Sequence, residues 1–197
     1  MFFSVGCFFF KIISWFLFPV RTRGLENLPS QGGFILASNH ISNLDPFLIG
    51  SFCPHYISFV AKESLFKNKI LGFALGLLRA YPIRRGGADF RAMRETLRRL
   101  KHGSAVLIFP EGTRKVIAEK KRALPGIGFI ASKSGAPVFP VFIEGSDQSL
   151  PPGRKFPRRH PVTIIFGKRI SYSREDSYSK IAEQILREVY VLSPSLK

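Results

Sequence analysis

Six short apolar runs punctuate the chain: Phe34–Ala37, Tyr56–Ala61, Ala80–Ile83, Ala105–Phe109, Val138–Ile143 and Val162–Phe166. Each has the length of a strand and is rich in Val, Ile or Phe. The stretches between them predict helices over Pro46–Phe52, Ser64–Leu78, Ala88–Lys101, Ile127–Ser134 and Arg174–Val191. Strands that alternate with helices constrain the fold to an α/β architecture, a largely parallel sheet flanked by helices. The 197 residues suffice for one domain with a sizeable core, and no internal repeat is visible.

The first twenty residues, MFFSVGCFFFKIISWFLFPV, break this rhythm. From Phe2 to Val20 they are almost wholly apolar, with Lys11 in the middle and Arg21 and Arg23 after them. As a helix, such a run reaches about 28 Å, marginal against a hydrocarbon core of roughly 30 Å. A secretory signal normally carries its basic residues before the apolar run and small residues at a cleavage site, and neither pattern is present. The expectation is a membrane-embedded helix over residues 1–23 and a main domain over 24–197. Two membrane placements fit about equally, with a buried soluble helix as a third reading. One is a single span, with Arg21 and Arg23 keeping the domain cytoplasmic. The other is a helix lying in one leaflet, with Lys11 snorkelling and Trp15 at the rim.

Charge supports a membrane surface. Lys and Arg number 30 against 13 Asp and Glu, a formal net charge of +17, yet 45% of residues are hydrophobic and 20 are Phe. A nucleic-acid binder explains the charge but not so much phenylalanine; anionic membrane lipids explain both. Cys7 and Cys53, each alone in apolar surroundings, argue against a disulfide framework or a metal site. The Arg91, Arg94, Arg98 and Lys101 stripe reads as a solvated helix face. Residues 146–161, SDQSLPPGRKFPRRHP, read as a long exposed basic loop suited to lipid headgroups. Ser64–Leu78 is apolar over much of its surface, as core or as membrane contact.

In open parallel sheets, sites gather beyond the carboxyl ends of the strands. Two polar clusters stand at such ends. The first is Asn39-His40-Ile41-Ser42-Asn43-Leu44-Asp45; the second follows Ala105–Phe109 in LIFPEGTRK, with Glu111 and Arg114 three residues apart around Gly112. Asp45 before Pro46 is also an ordinary helix start, with aspartate as cap and proline at the first helical position. Glu111–Arg114 by itself fits a surface ion pair at a turn. Arginine's planar fork suits a phosphate or carboxylate, and Gly112 permits close backbone approach.

Taken together, these stretches resemble the glycerolipid acyltransferase family, which includes the 1-acyl-sn-glycerol-3-phosphate acyltransferases. His40 and Asp45 match its N-H-x-x-x-x-D block, Tyr81-Pro82-Ile83-Arg84-Arg85-Gly86 its second, Phe109-Pro110-Glu111-Gly112-Thr113-Arg114 its F-P-E-G-T-R block, and Phe139–Gly145 its fourth. The likeness runs from about residue 24 to 170. The first and third blocks are highly specific.

The resemblance implies a glycerol-3-phosphate acyltransferase-like fold. It also implies transfer of a fatty acyl group from acyl-CoA or acyl-carrier protein to the sn-2 hydroxyl of 1-acylglycerol-3-phosphate, giving phosphatidate, at the cytoplasmic membrane face (the inner membrane in a bacterium). It implies no metal, no bound cofactor and no nucleic-acid partner.

The chemistry asks for a base of near-neutral pKa to take the hydroxyl's proton, and His40 is of that kind, with Asp45 to orient it and steady the imidazolium. Five residues put the two about 140° apart on a regular helix, so the chain must turn between them. Arg85 and Arg114 match the family's phosphate-binding positions; Glu111 orders the turn or touches the acceptor, and Gly112 and Thr113 shape it. Two departures loosen the identity of the acceptor: Arg84 stands where an acidic residue often precedes the arginine, and Leu124 stands where a lysine is often found. The rival readings are the same chemistry on another lyso-lipid, and a non-enzymatic basic module binding membrane or nucleic acid.

Overall fold

The structure is a computed structural model that describes residues 19–84, 89–113, 122–151, 153–154 and 156–194. Among the described residues, seven strands form one sheet: β1 (Val20–Arg23), β2 (Ile35–Ser38), β3 (Ile57–Lys62), β4 (Ala80–Ile83), β5 (Ala105–Ile108), β6 (Val138–Glu144) and β7 (Val162–Phe166). Their spatial order is β1-β7-β6-β2-β5-β3-β4. Strands β2 to β6 are mutually parallel, whereas β7 runs antiparallel to β6 and carries β1 parallel to itself. The α/β class with a mostly parallel sheet is therefore as the sequence predicts.

Six α-helices accompany the strands among the described residues: α1 (Asp45–Phe52), α2 (Lys69–Leu77), α3 (Phe90–Lys101), α4 (Pro125–Ser134), α5 (Ser146–Ser149) and α6 (Tyr178–Val191). Side-chain alternation along the strands divides the core into two layers. Phe34 and Leu36, with Phe139, Val141 and Ile143, face Leu48, Ile49 and Leu75 of α1 and α2. Ile35 and Ala37, with Val138 and Phe142, face Leu100, Ile127, Ile181 and Ile185 of α3, α4 and α6. Because β2 is buried on both faces, its sequence is a continuous apolar run.

Two expectations need correction at the edges. Residues 20–23 do not extend a membrane helix but form β1, with Val20 opposite Val162 and Arg23 opposite Ile165; Arg21 and Arg23 point from this edge strand into solvent. The backbone groups of the segment are thus taken up by the sheet. The expected N-terminal helix otherwise falls on residues 1–18, outside the described residues, and among those described no helix is long and apolar enough to cross a membrane. The 146–161 stretch, expected as a long exposed basic loop, opens instead with the helical turn α5, whose Ser146 and Ser149 are buried. Arg158 returns to this turn, donating its backbone N–H to Ser149 O (2.8 Å) and its Nε–H to Gln148 O (2.7 Å).

Candidate active site

Strands β2 and β5 are direct neighbours, with Ile35 opposite Val106 and Ala37 opposite Ile108, so the two polar clusters that follow them emerge side by side. Asn39 locks the first cluster in place: its side-chain amide donates to Ile143 O and its Oδ1 accepts from Ile143 N–H, both at 2.8 Å, tying the end of β2 to β6. His40 and Asp45 then meet across the turn, with Nδ1 and Oδ2 2.8 Å apart. Asp45 is wholly buried and His40 nearly so.

The carboxylate of Asp45 does not cap α1. Leu44 takes the cap position, and Asp45 Oδ2 points back to accept the backbone N–H groups of Ile41 and Ser42, each at 2.8 Å. Its other oxygen, Oδ1, accepts the Ser146 hydroxyl at 2.5 Å. The cap reading fails because the intervening loop and α5 offer Asp45 better donors than the first turn of its own helix. With both amides fixed as donors, the imidazole completes the set by donating from Nδ1, which leaves Nε2 as the basic nitrogen. The ring is held from its face as well, stacked on Phe109 with centroids 4.0 Å apart and planes inclined by 19°. Phe109 is the first residue of the second cluster, so this stack joins the two clusters physically.

Beyond Phe109 the chain turns tightly: Gly112 N–H donates to Phe109 O, and Leu124 N–H to Pro110 O. Gly112 has φ +69°, and a Cβ there would lie 2.3 Å from Leu124 Cδ1, so glycine meets both the backbone and the packing requirement. Leu124, standing where the family often has a lysine, closes over this turn. Glu111 is buried, and Tyr190 of α6 donates its hydroxyl to Glu111 Oε1 at 2.5 Å. Burial first, then the hydrogen bond to Glu111 and the negative charges of Glu111 and Asp45, hold the Tyr190 phenol well above its usual range. One half-buried tyrosine therefore feels the carboxylates of both clusters.

His40, Asp45, Glu111, Gly112 and Thr113 thus stand together at the carboxyl edge of the sheet. Arg85 and Arg114 lie outside the described residues. The neighbouring Arg84 is engaged elsewhere: its Nε donates to Glu63 Oε2 at 2.9 Å, and Glu63 is shared with Arg91 at 2.8 Å. These guanidinium groups, Arg91 first, keep the Glu63 carboxyl below its ordinary pKa. Buried Cys53 is no rival nucleophile, since desolvation pushes its thiol up to about 12. The sequence reading missed Ser146 and Tyr190. Ser146 had a faint signal, directly after Gly145, whose φ of +84° turns the chain at the end of β6. Tyr190 had none beyond its place in a helix.

A histidine held by a buried carboxylate, at the mouth of an α/β sheet and beside an acidic glycine turn, is an arrangement chemically suited to accepting a proton from a hydroxyl. The acyltransferase family model matches residues 19–144, and the chain belongs to that family. The chloroplastic 1-acyl-sn-glycerol-3-phosphate acyltransferase of Brassica napus is 33% identical over 174 residues, covering 83% of this chain and 50% of that protein. The protein of the same name from Bacillus subtilis is 30% identical over 150 residues, covering 76% of this chain and 72% of its own length. The chain therefore spans about half the length of the chloroplast relatives. The crystal structure of the 1-acyl-sn-glycerophosphate (LPA) acyltransferase PlsC from Thermotoga maritima superposes with TM-score 0.76 at 30% identity, over 96% of this chain and 79% of that one.

Proposed function

We propose that this protein transfers a fatty acyl group from acyl-CoA or acyl-carrier protein to the sn-2 hydroxyl of 1-acylglycerol-3-phosphate, producing phosphatidate for phospholipid biosynthesis. The observation that supports the reading is the buried His40–Asp45 contact of 2.8 Å, and in this reading Nε2 serves as the base. The names of the relatives supply the substrate. In the reaction His40 Nε2 takes the proton of the acceptor hydroxyl as its oxygen bonds to the thioester carbonyl carbon. Asp45, fixed by two amides and Ser146, stabilises the imidazolium that forms. Collapse of the tetrahedral intermediate breaks the carbon–sulfur bond, and the imidazolium returns its proton to the departing thiolate. No enzyme acyl intermediate is needed, because the substrate itself brings the nucleophile.

In this reading Arg85 and Arg114 hold the acceptor phosphate, while Glu111, Gly112 and Thr113 shape the turn beside it. The reaction asks for no metal and no bound cofactor; the acyl thioester is a substrate. The protein works at a membrane surface, to which its apolar N-terminal segment attaches it and where anionic lipids attract its basic surface, and the catalytic domain faces the cytoplasm, at the inner membrane if the cell is bacterial. A basic nucleic-acid-binding module leaves the His40–Asp45 pair without a role.

Purified protein in detergent, offered a panel of lyso-lipids with acyl-CoA and with acyl-carrier protein, tests the assignment by product mass. Phosphatidate from lysophosphatidate is the expected product. Acylation of a phosphate-free or choline-bearing acceptor in its place transfers the chemistry to another lyso-lipid.

A further inference from the structure

The segment between β3 and β4 contradicts the usual placement of apolar residues. Helix α2 reads KILGFALGL, yet within it only Leu75 is buried. Ile70 is 84% exposed and Phe73 70%, and Leu65, Leu71 and Leu77 are also exposed. Ile70, Phe73 and Leu77 follow helical spacing and share one face. The helix is set by Asn68, whose Oδ1 caps Leu71 N–H at 3.0 Å, so this face is presented by an ordered element.

The surroundings are cationic. Lys62, Lys67, Lys69, Arg79 and Arg84 are all exposed, and the single acidic residue between 62 and 84, Glu63, is held between Arg84 and Arg91. Because β3 and β4 are parallel, the helix joining them runs the opposite way, and its Ile70 end lies at the carboxyl edge of the sheet, the edge that carries His40 and Glu111. The Arg91–Glu63 bridge brings the start of α3 to the same place, with Phe90 72% exposed beside it.

We propose that α2, with the preceding turn and Phe90, is a membrane-docking surface. Its apolar face enters the acyl boundary of an anionic lipid monolayer and its lysines and arginines meet the headgroups, so that the carboxyl edge of the sheet is held against the source of the lipid acceptor. A polar rim around a surface this apolar matches a lipid interface in both chemistry and charge. The inference rests on the proposed function only in taking a lipid as substrate.

The test uses the full chain with its single tryptophan moved: Trp15→Phe together with Phe73→Trp. Vesicles of roughly three parts phosphatidylcholine to one of phosphatidylglycerol should shift the emission of the relocated indole to the blue, and brominated acyl chains should quench it. Phosphatidylcholine alone should respond several-fold more weakly. In the wild-type background, Phe73→Glu with Ile70→Glu should weaken vesicle partitioning roughly ten-fold, while turnover of a short-chain, water-soluble acceptor stays unchanged. Emission that remains red and unquenched overturns the proposal. So does emission already blue without lipid and unmoved by it, which would mean that residues 1–18 or a second copy cover the face. The fluorescence readout involves no turnover, so failure of the enzymatic assignment is separately visible.

Discussion

Ser146 Oγ donates to Asp45 Oδ1 at 2.5 Å across 101 residues of sequence, joining the end of β6 to the loop after β2. A hydrogen bond to a charged group contributes about 1.5–3 kcal/mol, and here it fixes the free oxygen of the carboxylate that orients His40. Ser146→Ala should lower kcat by roughly ten-fold with acceptor and donor KM nearly unchanged, since the hydroxyl is directed at Asp45. A change in KM with kcat intact would place Ser146 in substrate binding instead.

Tyr190 joins the C-terminal helix to the Glu111 turn in the same way. Tyr190→Phe removes the donor and leaves a buried carboxylate less well held, a loss of about 1–3 kcal/mol by thermal unfolding. Acceptor KM should rise while donor KM does not, because the turn beside the acceptor loosens. Unchanged stability and kinetics would reduce the contact to an incidental one.

The acid side of the stability profile should carry the mark of Glu95. Its hydrogen bonds from Arg98, and then those from Arg99, lower its carboxyl to about 2. A depressed folded-state pKa adds stability that is present above the ordinary glutamate value of about 4.3 and is lost as pH falls toward about 2. The Tm difference between wild type and Glu95→Gln should therefore be greatest near neutrality and shrink through that window. Because Arg98 is exposed and Glu95 and Arg99 are only partly buried, the difference should be small and should diminish further in high salt.

The six expected strands are legible because each carries a clear local pattern, as in Phe34–Ala37 and Val138–Ile143; of the helices, the one expected over Ser64–Leu78 divides into a 3-10 turn over Glu63–Lys67 and α2, capped by Asn68, and the last begins at Tyr178 rather than Arg174. β1 was not legible, since only Val20 belongs to the apolar run before it and Val20–Arg23 owes its strand conformation to β7, far along the chain. The motif spacing announced the His40–Asp45 pair, but the same letters announced a helix cap. Only the placement of the Ile41 and Ser42 amides and of Ser146 decides where that carboxylate points. Exposure of α2 was likewise hidden, because an apolar helix reads alike in a core and on a surface.

Everything in the proposed chemistry passes through one nitrogen, His40 Nε2, poised by Asp45 and backed by Phe109. The direct test is turnover of lysophosphatidate by wild type, His40→Ala, Asp45→Asn and the double variant, with phosphatidate followed by mass and folding verified by circular dichroism. General-base catalysis typically contributes about 10²–10⁴-fold, so each single variant should lose at least about two orders of magnitude. The double variant should lose little more than His40→Ala alone, because the pair acts as one unit. Near-normal turnover in a folded His40→Ala protein would contradict the account.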